Sequence, residues 1–185
     1  MGSSESTRSR PDLPIRLGVL VVGDDHPRAC TGRRLVRLGL AEELRGRSPP
    51  RERPIVLDPY AERPLTTQDV PTAETGGIVA VDCSWSRLAD GQGPARFPAG
   101  LARRLPMLVA TNPQHFGRLG ELNTAEALAA ALFVLGRAEQ GRSLLSGFAG
   151  GETFFDVNRE RLLRYAEGAS PEAIVAAERA LFESA

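Results

Sequence analysis

Four short apolar runs constrain the fold more than any other feature of this 185-residue chain. They cover residues 15–23, 54–60, 77–83 and 105–110. Each run is continuously apolar rather than alternating, which is typical of strands that are buried on both faces. Such strands occur in parallel sheets with helices on both sides. The sequence therefore predicts an α/β fold with a mostly parallel sheet.

Helical patterns lie between and after these runs. Thr31 or Gly32 is predicted to start a helix over residues 31–45, and a short helix is predicted over 84–90. Residues 61–76 are predicted to be loop that could contain a short turn at residues 66–70. From residue 105 onward, helices dominate the prediction. We expect a flexible tail over residues 1–13, an α/β domain over 14–104 and a helical domain over 105–185.

Three helix signals support the helical second part. Asn123 and Glu126 have the spacing of a capping box, and apolar residues follow at helical spacing. Two further helices are predicted over residues 142–149 and 156–166. Pro171 is predicted to occupy the first turn of the last helix.

The charge distribution allows a nucleic-acid partner although the chain is neutral overall. The 23 basic residues are all arginine, and they balance 23 acidic residues. Residues 1–53 carry a net charge of +4, whereas residues 106–185 carry −3. A local basic patch of this kind can bind nucleic acid. The absence of lysine is itself most simply explained by genome composition.

Composition also excludes several classes of protein. An apolar content of 42% excludes an intrinsically disordered chain. No apolar run reaches 18 residues, so no membrane span is predicted. Residues 1–10 lack the apolar stretch of a signal peptide, and two cysteines make no disulfide framework. We therefore expect a cytoplasmic protein.

The best-known catalytic motifs are missing, but polar and aromatic residues follow the strands. The sequence contains no GxGxxG, no GxxxxGK(S/T) and no GxSxG. Ligands of open α/β sheets bind beyond the carboxyl ends of the strands. The candidate segments are residues 25–32, 57–60, 82–85 and 105–124.

Each candidate residue in these segments has a structural alternative. Asp82 could cap the next helix, hold a ligand amine or abstract a proton. Trp85, the only tryptophan, could fill the core or form the wall of a pocket. Thr31 and Thr124 could simply start helices, or each could offer a hydroxyl and an N–H group to a carboxylate.

A metal site is not favoured. The candidate ligands His26, Cys30, Cys83 and His115 lack the close spacing of zinc ligands, so we expect no metal.

Five segments in this order resemble the ribosomal small-subunit rRNA aminocarboxypropyltransferases, a family related to an RNase L inhibitor domain. The segments are DDHPRACTGRRLVRLGL (24–40), VLDPYAERPLTTQD (56–69), VDCSWSRL (81–88), RRLPMLVATNPQHFGRLGELNTAEALAAALFVLG (103–136) and GETFFDVNRERLLRYAEG (151–168). The resemblance implies a SPOUT-like fold, with a deep trefoil knot and an all-helical C-terminal half packed to form the cofactor cleft.

The resemblance also implies a reaction. The family transfers the 3-amino-3-carboxypropyl group of S-adenosylmethionine to a ring nitrogen of a uridine or pseudouridine during ribosome biogenesis. Asp82 is implied as the catalytic residue, which either only holds the amino group or also accepts the proton. The other implied cofactor-binding residues are Thr31 and Thr124 for the carboxylate, Leu57, Pro59, Leu105 and Leu122 for the adenine, and Trp85 for the methyl group.

The implied partner is small-subunit ribosomal RNA, bound by a monomer with no membrane and no metal. The predicted phosphate contacts are Arg28, Arg33, Arg34 and Arg37. Two alternatives remain open: a SPOUT-type RNA methyltransferase that uses the same cofactor, and a non-catalytic RNA-binding factor in ribosome assembly.

Overall fold

A five-stranded parallel sheet forms one layer of the protein in the computed structural model, which describes residues 13–21, 30–44, 52–86 and 99–183. The strand order is β2-β1-β4-β3-β5, and every described pairing is parallel. The predicted α/β class and parallel sheet are confirmed. The strands are β1 (Leu17–Val21), β2 (Glu42–Glu43), β3 (Ile55–Leu57), β4 (Ile78–Asp82) and β5 (Leu101–Arg103).

Seven α-helices lie within the described residues. They are α1 (Thr31–Arg37), α2 (Val70–Gly76), α3 (Thr124–Val134), α4 (Ala138–Leu145), α5 (Gly151–Val157), α6 (Arg159–Glu167) and α7 (Pro171–Glu183). Nearly all of the predicted tail and most of the predicted helix over 84–90 lie outside the described residues. None of the described helices is long and apolar enough to cross a membrane.

Helix α1 is shorter than predicted, so the helix predicted over 31–45 is wrong over residues 38–44. Gly39 has φ +69°, a left-handed conformation that glycine adopts without a steric penalty. The amides of Gly39 and Leu40 donate to the carbonyls of Val36 and Leu35, both at 3.0 Å. This pattern is a Schellman motif, which ends the helix and leads the chain into β2.

The predicted strand over residues 105–110 is also wrong. The last strand is β5, and the chain leaves the sheet before Pro106, which has no N–H to donate. Residues 108–110 instead pair with residues 118–120: Gly120 N donates to Leu108 O and Ala110 N donates to Arg118 O, both at 2.8 Å. We call residues 108–120 the rim hairpin.

A helix occupies part of the predicted loop over residues 61–76. Thr66 and Asp69 form a capping box around a 3₁₀ turn at Thr67–Asp69, which runs into α2. The buried Asp69 also forms an ion pair with Arg103 at 2.9 Å, which fixes this turn against β5. The ion pair from β5 therefore stabilises a capped turn that the local sequence predicts only weakly.

The helical second part follows its capping signals. The capping box of Asn123 and Glu126 at the start of α3 is confirmed, and so is Pro171 at the start of α7. Between them the chain forms three helices, α4 to α6, rather than the two predicted over 142–149 and 156–166, because α5 and α6 are separated at Asn158.

Helix α3 is the centre of the packing. It contacts β4, α1, α4 and α6, and Leu128 and Leu132 on it are fully buried. Its apolar side chains belong to the same core as Val19 of β1 and Ile78 of β4. This packing places the first residue of α3 beside the carboxyl end of β4.

Candidate active site

A cavity of about 790 Å³ lies at the carboxyl ends of β3 and β4, between the starts of α1 and α3 and the rim hairpin. The cavity lies where open α/β sheets bind ligands. All the side chains predicted to bind the cofactor line it. They are Thr31, Leu57, Pro59, Asp82, Trp85, Leu105, Leu122 and Thr124.

Asp82, the last residue of β4, joins the starts of two helices. Its Oδ2 accepts hydrogen bonds from the Gly32 amide at 3.1 Å and from the Cys30 thiol at 2.5 Å. Its Oδ1 accepts a hydrogen bond from the Thr124 hydroxyl. The carboxylate thus lies at the starts of α1 and α3, where a negative charge is favourable.

Gly32 allows this close approach. A Cβ atom at this position would lie 2.6 Å from Asp82 Oδ2 and 2.6 Å from the Val19 side chain. Any other residue would therefore displace the Asp82 carboxylate or the Val19 side chain. The position of the Asp82 carboxylate therefore depends on a glycine at position 32.

Cys30 holds Asp82 from the other side. It is the N-cap of α1, and its sulfur accepts a hydrogen bond from the Arg33 amide at 3.3 Å. Burial, and then the hydrogen bond to Asp82, raise the pKa of the Cys30 thiol to about 11. The thiol therefore stays protonated near neutral pH and remains a hydrogen-bond donor to Asp82.

Trp85 is half-buried in the cavity wall rather than in the core. Its indole Nε1 donates a hydrogen bond to the Leu122 carbonyl at 2.9 Å. This bond links the segment after β4 to the segment before α3. The ring is fixed as a flat apolar surface beside Leu122.

The rim hairpin and the residues after it bring a charged group to the cavity that sequence reasoning missed. Glu121 accepts a hydrogen bond from Arg118 at 3.1 Å and pairs with Nδ1 of His115, and all three residues line the cavity. The hydrogen bond from His115 lowers the pKa of Glu121. In the sequence, the Asn112–Pro113 pair indicates only a turn, and these three charged or polar residues follow it.

Three of the four candidate metal ligands, which the sequence analysis did not favour, lie among the described residues. Cys30, Cys83 and His115 line the same cavity, and His26 lies outside the described residues. Over residues 13–21, 30–44, 52–86 and 99–183, no group of three His, Cys, Asp or Glu side chains is placed to hold a metal ion.

A buried network fixes the rim hairpin to α3. Glu126 is only 2% exposed, and its carboxylate accepts four hydrogen bonds. The donors are Thr111 N (2.8 Å), Thr111 Oγ1 (3.0 Å), Asn112 Nδ2 (2.7 Å) and Asn123 N (3.0 Å). Glu126, the third residue of α3 and part of its capping box, therefore also holds one wall of the cavity.

The predicted phosphate contacts do not share one environment. Arg33, Arg34 and Arg37 are exposed on α1, whereas Arg28 lies outside the described residues. Arg34 donates to the Gly147 carbonyl at 2.6 Å, and its guanidinium lies 4.7 Å from the centre of the Phe148 ring. Arg34 therefore attaches α1 to the segment after α4.

Comparisons with known proteins agree with this geometry. Residues 55–182 match the family model described as "Ribosome biogenesis protein, C-terminal". The solved structure of a SAM-dependent rRNA:acp-transferase from Vulcanisaeta distributa superposes with a TM-score of 0.80 and 35% sequence identity. The match covers 91% of this chain and 89% of that one.

Curated relatives match over most of the chain. The 16S rRNA aminocarboxypropyltransferase of Halobacterium salinarum is 42% identical over 172 residues, which are 92% of this chain and 98% of the relative. That of Methanopyrus kandleri is 42% identical over 80% of this chain and 86% of the relative. The 18S rRNA aminocarboxypropyltransferase of Schizosaccharomyces pombe is 36% identical over 90% of this chain but only 55% of the relative. The chain belongs to the family of rRNA aminocarboxypropyltransferases.

Proposed function

We propose that this protein transfers the 3-amino-3-carboxypropyl group of S-adenosylmethionine to a ring nitrogen of a uridine or pseudouridine in small-subunit ribosomal RNA, during ribosome biogenesis. The observation that carries the proposal is the cavity in which Asp82 and seven other predicted residues meet, although they come from four separate segments of the chain. The names of the relatives and of the solved neighbour support the reaction.

The residues of the cavity fit this donor. A volume of about 790 Å³ falls in the usual range for small-molecule sites. Leu57, Pro59, Leu105 and Leu122 provide an apolar slot for an adenine. Asp82, Thr31 and Thr124 provide a polar group for an amino acid. One polar end and one apolar end suit a ligand with an amino acid at one end and a base at the other.

The donor supplies a sulfonium whose three attached carbons are all electrophilic, and the carbon presented to the nucleophile is the one that reacts. In the proposed transfer a nitrogen–carbon bond forms, a carbon–sulfur bond breaks, methylthioadenosine leaves and the proton of the ring nitrogen passes to water. Trp85 favours this outcome if its fixed ring covers the methyl group. The carboxypropyl carbon then faces the RNA.

Asp82 is better arranged to hold the amino group than to remove a proton. A carboxylate has about four acceptor positions, and Gly32, Cys30 and Thr124 occupy three of them. One position remains for an ammonium group. Thr31, half-buried at the start of α1, then faces the carboxylate of the same ligand.

Finer features of the family extend the proposal. We expect a SPOUT-like fold with a deep trefoil knot, an α/β domain over residues 14–104 and a helical domain over 105–185 that begins with the rim hairpin. We also expect a cytoplasmic monomer that uses no metal. Arg28, Arg33 and Arg37 are the proposed phosphate contacts, since Arg34 is already held by Gly147 and Phe148.

Separately labelled donors test the reaction. Small ribosomal subunits from cells that lack the enzyme are incubated with donor labelled in either the methyl or the carboxypropyl group. Label from the carboxypropyl group should enter the RNA. Methyl label in the RNA would instead support the methyltransferase alternative. No transfer, together with no heat of donor binding in calorimetry, would support the non-catalytic assembly factor.

Two variants test the assigned residues. Trp85→Ala should weaken donor binding by about 1–3 kcal/mol, because it removes a large apolar contact surface. Asp82→Asn should reduce transfer because an amide cannot offer the same charge to an ammonium group. Asp156→Asn, on the exposed face of α5, is the matched control and should behave as the wild type. An unchanged donor affinity in Trp85→Ala would remove this residue from the binding site.

A further inference from the structure

Arg118 is the only arginine among the described residues that line the cavity. Its side chain is also 62% exposed, so it borders both the cavity and the solvent. Two of the phosphate contacts proposed above, Arg33 and Arg37, lie on α1 and are not part of the lining. Arg118 therefore brings a positive charge to the cavity from a different border, the rim hairpin.

The backbone of the rim hairpin fixes the position of Arg118. Its carbonyl accepts a hydrogen bond from the Ala110 amide at 2.8 Å, and its own amide donates to the His115 carbonyl at 2.9 Å. Gly117 N donates to Ala110 O, also at 2.8 Å. The buried Glu126 network holds the same hairpin to α3. The fold therefore determines where this arginine leaves the chain.

An ionised carboxylate orients the side chain of Arg118. Its Nη1 donates a hydrogen bond to Glu121 at 3.1 Å, and the same Glu121 oxygen pairs with Nδ1 of His115. The hydrogen bond from His115 is the main cause that lowers the pKa of Glu121, so this carboxylate stays ionised near neutral pH. A guanidinium has five N–H donors, and Glu121 is the only side chain among the described residues to which Arg118 donates. Arg118 is thus oriented and still has donors for a second anion.

The donor is a poor candidate for that anion. S-adenosylmethionine carries a sulfonium, an ammonium and one carboxylate, and the carboxylate is assigned above to Thr31. A further cation that lines the cavity repels such a donor, because like charges repel. RNA, in contrast, carries a negative phosphate at every nucleotide. When the target base leaves its stack and enters the cavity, the phosphates on either side of it come to the opening, because they are bonded to the same sugar.

We propose that Arg118 binds the phosphate next to the nucleotide whose base enters the cavity. This inference rests on the proposed function and adds a residue that holds the RNA at the site. Contacts to phosphates fix the position and register of a nucleic acid without reading its sequence. A guanidinium suits this contact because two of its N–H groups can face two phosphate oxygens. An arginine that is held by Glu121 on the rim hairpin can therefore place the target nucleotide at the opening of the cavity.

The salt dependence of RNA binding tests the phosphate contact directly. The anisotropy of fluorescein-labelled oligouridine, measured at several salt concentrations, gives the log–log slope of affinity against salt. Arg118→Gln should reduce the magnitude of this slope by about 0.7, the value expected for one phosphate contact to a single strand. Arg118→Lys keeps the charge and should keep the slope. A slope for Arg118→Gln equal to that of the wild type would overturn the proposal.

Arg164→Gln is the matched control. Arg164 on α6 is also an exposed arginine, at 51%, and its guanidinium also pairs with one carboxylate at 3.1 Å, that of Glu160. Arg164 does not line the cavity, so its replacement should leave the slope unchanged. An equal fall of the slope in both variants would show a general effect of net charge and would contradict a contact made by Arg118.

Steady-state transfer on small subunits from cells that lack the enzyme measures the consequence for the reaction. Arg118→Gln should raise the KM for the subunit about 5- to 50-fold, as expected when one charge-assisted hydrogen-bonded contact is lost. Arg118→Lys should recover only part of this loss, because it lacks the planar fork of the guanidinium. The affinity for the donor, measured by calorimetry, should not change in either variant. A weaker affinity for the donor with an unchanged KM for the subunit would assign Arg118 to the donor instead.

Ethylation interference locates the phosphate that Arg118 binds. Small-subunit RNA is ethylated at random phosphates, which removes their charge, and the molecules that still bind the protein are separated and mapped. Ethylation beside the modified nucleotide should weaken binding to the wild type but not to Arg118→Gln. Equal interference at this position in both proteins would refute the proposed contact. If the wild type transfers no group, the proposed reaction fails, whereas the salt slope still decides whether Arg118 binds phosphate.

Discussion

Replacing Glu126 by glutamine should uncouple the cavity wall from helix α3. Glu126 is buried, and its two oxygens accept four hydrogen bonds from Thr111, Asn112 and Asn123. The substitution conserves shape and volume, but it replaces one acceptor oxygen by an NH₂ group that only donates. The loss of stability therefore reports on the hydrogen bonds and not on a packing void left by a smaller side chain.

The donors around Glu126 decide which way the side-chain amide of the glutamine variant points. If NH₂ faces Asn112 Nδ2 and Asn123 N, two donor pairs oppose each other. If it faces Thr111, the hydroxyl can turn to donate only to the Gly150 carbonyl, 2.9 Å away, and accept from NH₂. The Thr111 amide is then the only donor left without an acceptor. This second orientation is the less costly one.

The expected cost follows from that orientation. One buried amide loses its acceptor, and the remaining hydrogen bonds lose their charged partner, which together cost about 2–4 kcal/mol. For a chain of this size each kcal/mol lowers the melting temperature by roughly 2–4 °C, so the fall should be about 5–15 °C. Donor affinity should also decrease, because Leu122 and Thr124 flank the capping residue Asn123 in the cavity wall.

Differential scanning calorimetry and donor titration measure the two effects. Glu139→Gln provides the control, since Glu139 is exposed in the first turn of α4 and should change the melting temperature by less than about 2 °C. If Glu126→Gln had the same melting temperature as Glu139→Gln, four hydrogen bonds to one carboxylate would not be what holds the rim hairpin.

Three further outcomes concern residues at the start of α1 and on it. The unfolded state ionises Cys30 near pH 9 but the folded state only near pH 11, so the wild type should lose about 2–3 kcal/mol of stability between these values. Denaturant unfolding at pH 8, 9, 10 and 11 should show that Cys30→Ser loses less free energy of unfolding than the wild type as the pH rises. An equal pH dependence in the two proteins would contradict the raised pKa. Arg33→Ala should flatten the salt dependence of RNA binding by about one unit in the log–log slope. Arg34→Ala should instead reduce stability by about 0.5–1.5 kcal/mol, since it removes the contacts to Gly147 and Phe148. A slope change of the same size in both variants would show that Arg34 also contacts phosphate.

Local signals predicted those parts of the fold that depend on neighbouring residues. The apolar runs around β1, β3 and β4 predict strands because few other structures bury continuous β-branched residues. The caps at Asn123 and Pro171 predict helix starts because both act within one turn. The rule that ligands bind at carboxyl ends of strands then identifies the segments that line the cavity, although the individual residue roles came from the family resemblance.

Long-range contacts explain why the strand predicted over residues 105–110 does not form. Residues 105–110 have the composition of a strand, but their backbone is paired by distant partners: Asn158 bonds to both the amide and the carbonyl of Val109, each at 2.8 Å. Glu178 accepts from the amide of Met107 at 3.0 Å, and Tyr165 donates to the carbonyl of the same residue at 3.1 Å. These partners lie about 50 to 70 residues further along the chain, so no local pattern reports them.

The same distant partners explain how residues 105–110 can leave the sheet and form a wall of the cavity instead. A segment that leaves a sheet must still satisfy its buried amides and carbonyls. Here Asn158, Tyr165 and Glu178, from the end of α5 and from α6 and α7, satisfy them with side chains. Residues 105–107 are then free to turn their side chains toward the cavity, where Leu105, Pro106 and Met107 form part of the lining. The C-terminal helices thus contribute to the site without touching the ligand, because they supply the hydrogen bonds that a neighbouring strand would otherwise make.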